Sequence, residues 1–123
     1  MYGIGVDTAT VARIEKSMKS EAFLKRVFSQ EEQNLFLTKA HFAQTAAANF
    51  AAKEAFLKAT GNGLGAFALC EIAALRKESG MPYFVFSGQA QAFMKKNGLT
   101  AHLSLTHEGG FATAFVVLTP QIT

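Results

Sequence analysis

At 123 residues, half of them hydrophobic, with twelve Phe and a formal charge of +3, the chain can bury one core, but a large ligand's pocket would have to be shared between subunits. One domain over residues 1–123 and a homo-oligomer are therefore expected. No apolar run approaches the ~20 residues of a membrane span, and no basic-then-apolar leader precedes Met1-Tyr2-Gly3, so a soluble cytoplasmic protein is expected, and the lone Cys70 excludes both an intrachain disulfide and a thiolate metal centre.

Tyr2-Gly-Ile-Gly-Val-Asp7 opens the chain as a strand whose glycines let another backbone approach closely. Asp7 at its end is placed either for a ligand or as the N-cap of the next helix. From Thr10 to Lys19 the spacing of Val11, Ile14 and Met18 predicts a short amphipathic helix with Arg13 and Lys16 on its other face. Glu21 to Phe28 continues helically, and Ser29-Gln-Glu-Glu32 is a capping box that opens a further helix through Leu37. Arg13, Lys16, Lys19, Lys25 and Arg26 outweigh Glu15 and Glu21 and account for the whole net charge. Such an excess points to an acidic partner or a phosphorylated ligand, with a merely solvated helix face as the alternative. A nucleic-acid partner is disfavoured, because no recognition helix or arginine-rich groove is present.

His41 to Gln44 leads into a long helix, apolar on nearly every side from Ala46 to Ala59 and ended by Gly61-Asn-Gly63, residues that tolerate positive φ. Glu54 projects from its apolar stripe, over Phe50 and one turn before Lys58. A carboxylate there needs a partner: a bound cation, or Lys58 itself in an ordinary i,i+4 salt bridge.

Leu64 to Phe67 is a loop, Leu69–Arg76 and Pro82–Phe86 form a hairpin across Lys77–Met81, and Ser87 to Lys96 is an amphipathic helix closed by Asn97-Gly98. Ala101 to His107 alternates as a strand and pairs with Phe111 to Leu118 across Glu108-Gly-Gly110. The architecture expected is α+β: a leading strand, a helical segment, then a mostly antiparallel sheet carrying the long helix on its face.

Gly3-Ile-Gly-Val-Asp7 followed by Arg13-Ile14, Phe50-Ala-Ala-Lys-Glu-Ala55 with Lys58-Ala-x-Gly-x-Gly63, and Leu103-Ser-Leu-Thr-His-Glu108 occur in that order. Together they resemble the holo-acyl-carrier-protein synthases, the small 4′-phosphopantetheinyl transferases, along the whole chain. The resemblance implies transfer of phosphopantetheine from coenzyme A to a serine of an apo-acyl carrier protein, with release of adenosine 3′,5′-bisphosphate, in service of fatty acid biosynthesis. It implies that Asp7 and Glu54 hold Mg²⁺, that Lys58 lies near the phosphates, and that a metal-bound water or Glu54 is the base. Thr106 and His107 are implied near coenzyme A. Gly61 and Gly63 are either phosphate-binding backbone or plain helix termination. His41 and His102 belong to no ligand set and are expected in ordinary roles.

The family is a homotrimer with active sites between neighbouring subunits, which the resemblance extends to this chain. Where the family pattern has arginines, this sequence has Gln44 and Asn49. Arg13, Lys16, Lys25 and Arg26 are the candidates to replace that grip, and they form the expected docking surface for an acidic carrier protein. The competing readings are a non-catalytic paralogue that binds coenzyme A or a carrier, and another Mg²⁺-dependent phosphoryl-transfer enzyme.

Overall fold

A computed structural model describes residues 1–122. Strand β1 (Gly3–Thr10) leads into three short helices, α1 (Val11–Ser17), α2 (Glu21–Val27) and α3 (Gln30–Leu37), and then the long helix α4 (Phe42–Thr60). After a 3-10 turn at Leu69–Glu71 come β2 (Ile72–Arg76), β3 (Pro82–Phe86), α5 (Gly88–Lys96), β4 (Leu99–Glu108) and β5 (Phe111–Pro120). All pairings are antiparallel: β1, β5 and β4 form one sheet in that order, and β2 and β3 form a hairpin of their own. No helix among the described residues is long and apolar enough to cross a membrane.

Local sequence explains the helix boundaries. Ser20 and Ser29 accept from the backbone N–H groups of Phe23 and Glu32, and Glu32 returns the bond to the Ser29 N–H, so the capping box closes as its residues dictate. Gly61 ends α4 at φ +75°, a backbone conformation that residues with a side chain rarely adopt. Asp7 is not a cap: β1 runs on to Thr10, which is the residue before α1, and the helix predicted from Thr10 to Lys19 is accordingly shorter at both ends. The predicted strand from Leu69 begins only at Ile72, the three residues before it turning as 3-10.

The three-stranded sheet has two unlike faces. Gly3, Gly5, Asp7 and Ala9 of β1, and Ala112, Ala114, Val116 and Leu118 of β5, turn toward α4, whose alanines from Ala46 to Ala59 are buried, while Phe56 is buried against Phe67, Phe84 and Phe86. A Cβ on Gly5 would collide with the carbonyl oxygen of Ala55, and one on Gly3 with that of Ala59, so β1 lies directly on the backbone of α4. The other face leaves Ile4, Val6, Phe111 and Phe115 about half exposed.

Candidate active site

The close approach of β1 to α4 sets the end of the strand beside the last turns of the helix. Lys58 Nζ donates to Asp7 Oδ1 at 3.0 Å and to the carbonyl oxygen of Val6 at 3.0 Å, although Asp7 and Lys58 are 51 residues apart in sequence. Of the two partners open to Glu54, the i,i+4 salt bridge with Lys58 does not form, because Lys58 is drawn across to β1 instead. Glu54 is left half-buried with no cation in contact. Its carboxyl is pushed above the ordinary carboxylate range by burial first and by the Asp7 charge second, with Lys58 opposing both.

Two carboxylates sharing one lysine are short of positive charge. The oxygen donors of Asp7 and Glu54 suit a hard divalent cation, and Mg²⁺ in particular binds through one or two carboxylates and fills its other positions with water and substrate phosphate. Among the described residues no cluster of three or more His, Cys, Asp or Glu side chains is placed to hold a metal ion. Gly61 and Gly63, at φ +75° and +84°, lie exposed just past the end of α4; Gly61 caps the helix.

Thr106 and His107 are not in this cluster. They stand near the end of β4, and β5 separates that strand from β1, a distance of about 10 Å between backbones. Instead they line a cavity of about 330 Å³ with Lys39, His41, Gln44 and Thr45 around the start of α4, and with Arg76 of β2. Ala48, in that cavity, and Glu54 differ by about 9 Å of rise and about 120° around the helix. The chain thus carries two polar half-sites on different flanks of α4. His41 sits in the second of them, where no spacing rule had pointed. His102 is exposed and bonds Thr119 Oγ1 at 2.9 Å, the ordinary role expected of it.

A buried network underlies the cavity. Glu32 Oε1 accepts from Lys53 Nζ at 2.6 Å, its Oε2 accepts from Asn49 Nδ2 at 2.9 Å and from the Ala74 N–H at 3.1 Å, and all three side chains are fully buried. Lys53 spends its other two donors on the carbonyl oxygens of Leu69 and Ile72. Asn49 Oδ1 then accepts from Arg76 Nη2 at 2.7 Å. Of the two positions lacking a family arginine, Asn49 is therefore a core residue with every polar atom committed, and Gln44 is a cavity residue.

The basic side chains of the helical segment are all outside. Arg13, Lys16, Lys25 and Arg26 are exposed and form no ion pair among the described residues, and Arg26 covers the ring of Phe23 at 5.9 Å. Cys70 is free and half-buried.

Residues 3–116 match the 4′-phosphopantetheinyl transferase superfamily. The chain is 42% identical over 120 residues to a holo-[acyl-carrier-protein] synthase of Treponema denticola, covering 96% of this chain and 98% of that one. Among solved structures it resembles the holo-[acyl-carrier-protein] synthase of Neisseria meningitidis at 32% identity and a TM-score of 0.87, covering 97% of this chain and 98% of that one. The Bacillus anthracis enzyme, solved in complex with CoA (3′,5′-ADP), is similar at 31% identity and a TM-score of 0.81, with 98% and 97% covered.

Proposed function

The chain belongs to the 4′-phosphopantetheinyl transferase superfamily, and from that premise we propose that it is a holo-acyl-carrier-protein synthase. It moves 4′-phosphopantetheine from coenzyme A to a serine of an apo-acyl carrier protein. The serine oxygen forms a bond to the phosphorus bearing pantetheine, and the bond from that phosphorus to the bridging pyrophosphate oxygen breaks. The serine proton leaves to a base, and adenosine 3′,5′-bisphosphate departs with the bonding pair.

The observation that carries this reading is the meeting of Asp7, Glu54 and Lys58 at the contact of β1 with α4. Asp7 and Glu54 would hold Mg²⁺, which supplies neutralisation of the pyrophosphate charge. Lys58, half-exposed and with two of its three donors held by Asp7 and Val6, points its remaining N–H outward, where it can stabilise charge gathering on the departing phosphate. Burial disfavours the ionised form of Glu54, a cost that a bound cation would offset, and the serine proton leaves to Glu54 itself or to a water held at the metal.

Two features support a homotrimer with sites between subunits. The half-sites lie apart within one chain, so a neighbouring subunit's Thr106 and His107 would complete the Asp7 cluster. The half-exposed Ile4, Val6, Phe111 and Phe115 offer an apolar sheet face to that neighbour. Arg13, Lys16, Lys25 and Arg26 form the surface toward the acidic carrier, acting at long range on encounter. Cytoplasmic residence follows from the substrate and carrier assigned.

The test is incubation with coenzyme A, Mg²⁺ and an apo-acyl carrier protein, followed by intact-mass measurement. The expected result is one phosphopantetheine added to the carrier serine, abolished by chelator and by Asp7→Ala or Glu54→Ala. An unmodified carrier, with coenzyme A nevertheless bound, would favour a binding-only protein instead.

A further inference from the structure

Two large apolar side chains stand in water on either side of the short connection from α3 to α4: Leu37, 87% exposed, and Phe42, 40% exposed. With the half-buried Met18 and Leu24 and the buried Phe36 they line a cavity of about 420 Å³. Its walls are fixed before anything enters. Gln33 Nε2 ties α3 to α2 by donating to the carbonyl oxygens of Leu24 at 3.5 Å and Phe28 at 3.2 Å, and the ring of Phe36 stands edge-on to Phe28 with centroids 4.9 Å apart. An apolar cavity of this size with a few polar groups at hand is the usual form of a small-molecule site. Apolar side chains grouped this way in the open also gain from being covered.

The charge at this cavity is of one sign. No Asp or Glu lines it, whereas Lys39 does, exposed and in no ion pair among the described residues. Asn34 accepts from Gln30 Nε2 through its Oδ1 at 3.0 Å and keeps its N–H groups as donors. Across Met18 and Phe42 a further cavity adds Lys16 and Lys19 against the single Glu15. A neutral chain would leave the Lys39 ammonium unused and a cationic one would be repelled by it, so the lining suits an aliphatic chain that ends in an anion. Lys39 also lines the 330 Å³ cavity that holds Thr106 and His107, so one ammonium serves both.

We propose that the groove enclosed by Met18, Leu24, α3 and the start of α4 is a binding site for an aliphatic carboxylate. The chain lies against Leu37, Phe42 and Met18, and the carboxylate takes Lys39. A carboxylate seated there engages the ammonium that the second half-site shares, and so opposes coenzyme A without touching Asp7, Glu54 or Lys58. Binding in the groove stands by itself, and its effect on turnover rests on the transferase reading.

The experiment is calorimetric titration of the full chain with octanoate, decanoate and dodecanoate, each below its micelle concentration, with decanol and decyltrimethylammonium as neutral and cationic controls. Decanoate should bind more tightly than either control, and each added methylene should tighten binding by up to about fourfold while the cavity has wall to offer. L37E places a carboxylate at an exposed position without disturbing the core, and should abolish binding while leaving basal transfer unchanged. K39Q should weaken decanoate by about two- to fivefold, the scale of an exposed ion pair. In the transfer assay decanoate should raise the coenzyme A KM of wild type with kcat unchanged, and should do nothing to L37E. Equal affinity for decanoate and its controls, or undiminished binding to L37E, would overturn the site. Binding with no change in the coenzyme A KM would overturn the coupling through Lys39. Protection of Leu37 and Phe42 from amide exchange by an apo-acyl carrier protein, with none by decanoate, would make the groove a protein-docking face and overturn the ligand assigned. Should wild type transfer nothing even without decanoate, the transferase reading falls, while the titrations still decide the groove.

Discussion

Lys53→Met removes the cation from the fully buried network beneath the cavity with little change in side-chain length. In the native chain the three N–H groups of Lys53 meet Glu32 Oε1 and the carbonyl oxygens of Leu69 and Ile72, all within 2.9 Å. The substitution strands the two carbonyls and leaves Glu32 charged among three neutral donors, the N–H of Ser29, the Asn49 amide and the N–H of Ala74. Breaking a buried pair from one side costs about 3–5 kcal/mol, and the surviving donors to Glu32 place this case toward the lower end. Against a total stability of about 5–15 kcal/mol that is a large loss. Urea unfolding of Lys53→Met, Glu32→Gln and the double variant gives the answer, because removing Glu32's charge as well leaves no buried charge unpaired, only the two carbonyls without a donor. The double variant should be more stable than the sum of the two single losses predicts. A Lys53→Met loss below about 1 kcal/mol, or additivity within about 0.5 kcal/mol, would refute the electrostatic account of this network.

Lys58→Ala should lower turnover by roughly 10²-fold or more with little effect on unfolding, whereas a purely structural lysine would show the reverse in single-turnover and denaturation measurements. Glu54 has its folded pKa raised above the 4.5 of an ordinary glutamate, so its contribution to stability is present below that value and is lost as pH rises through the raised one. Metal-free protein should accordingly lose thermal stability over that rise and regain it on adding Mg²⁺, and an identical pH slope in Glu54→Gln would remove the assignment. Charge reversal at Arg13 and Lys16 should raise the carrier KM alone; a rise confined to coenzyme A would instead make these residues part of the phosphate grip.

Helix α4, its glycine stop, the capping box at Ser29 and the β4–β5 hairpin were legible because each is written within a few neighbouring residues. Position 54 was also marked, as a carboxylate on an apolar stripe. Its relation to Lys58 was not: the i,i+4 rule offers Glu54 as the partner, and only the folded contact of β1 with α4 presents Asp7 in competition. Lys53 stood in a recognised motif without a role, and Glu32 was already explained by its cap, so neither spacing nor composition announced that they meet. Arg76 carried no signal at all. Its meaning depends on a hydrogen bond to Asn49, 27 residues away. The separation of Thr106 and His107 from Asp7 likewise follows from strand order rather than from any motif.

The seat of β1 on α4 has a consequence for how this molecule tolerates change. Most sites rest on a layer of packed side chains, so a methyl group gained or lost in the core is transmitted to them as a shift of backbone. Here Gly3 and Gly5 remove that layer, and main chain rests on main chain at Ala55 and Ala59. The approach of Asp7 to Lys58 consequently depends on a backbone-on-backbone contact, and it is less exposed to rearranged packing among the phenylalanines around Phe56. Sensitivity is concentrated instead in two residues that have no side chain to vary, where a single added carbon would pry the strand from the helix and draw the carboxylate of Asp7 away from its lysine.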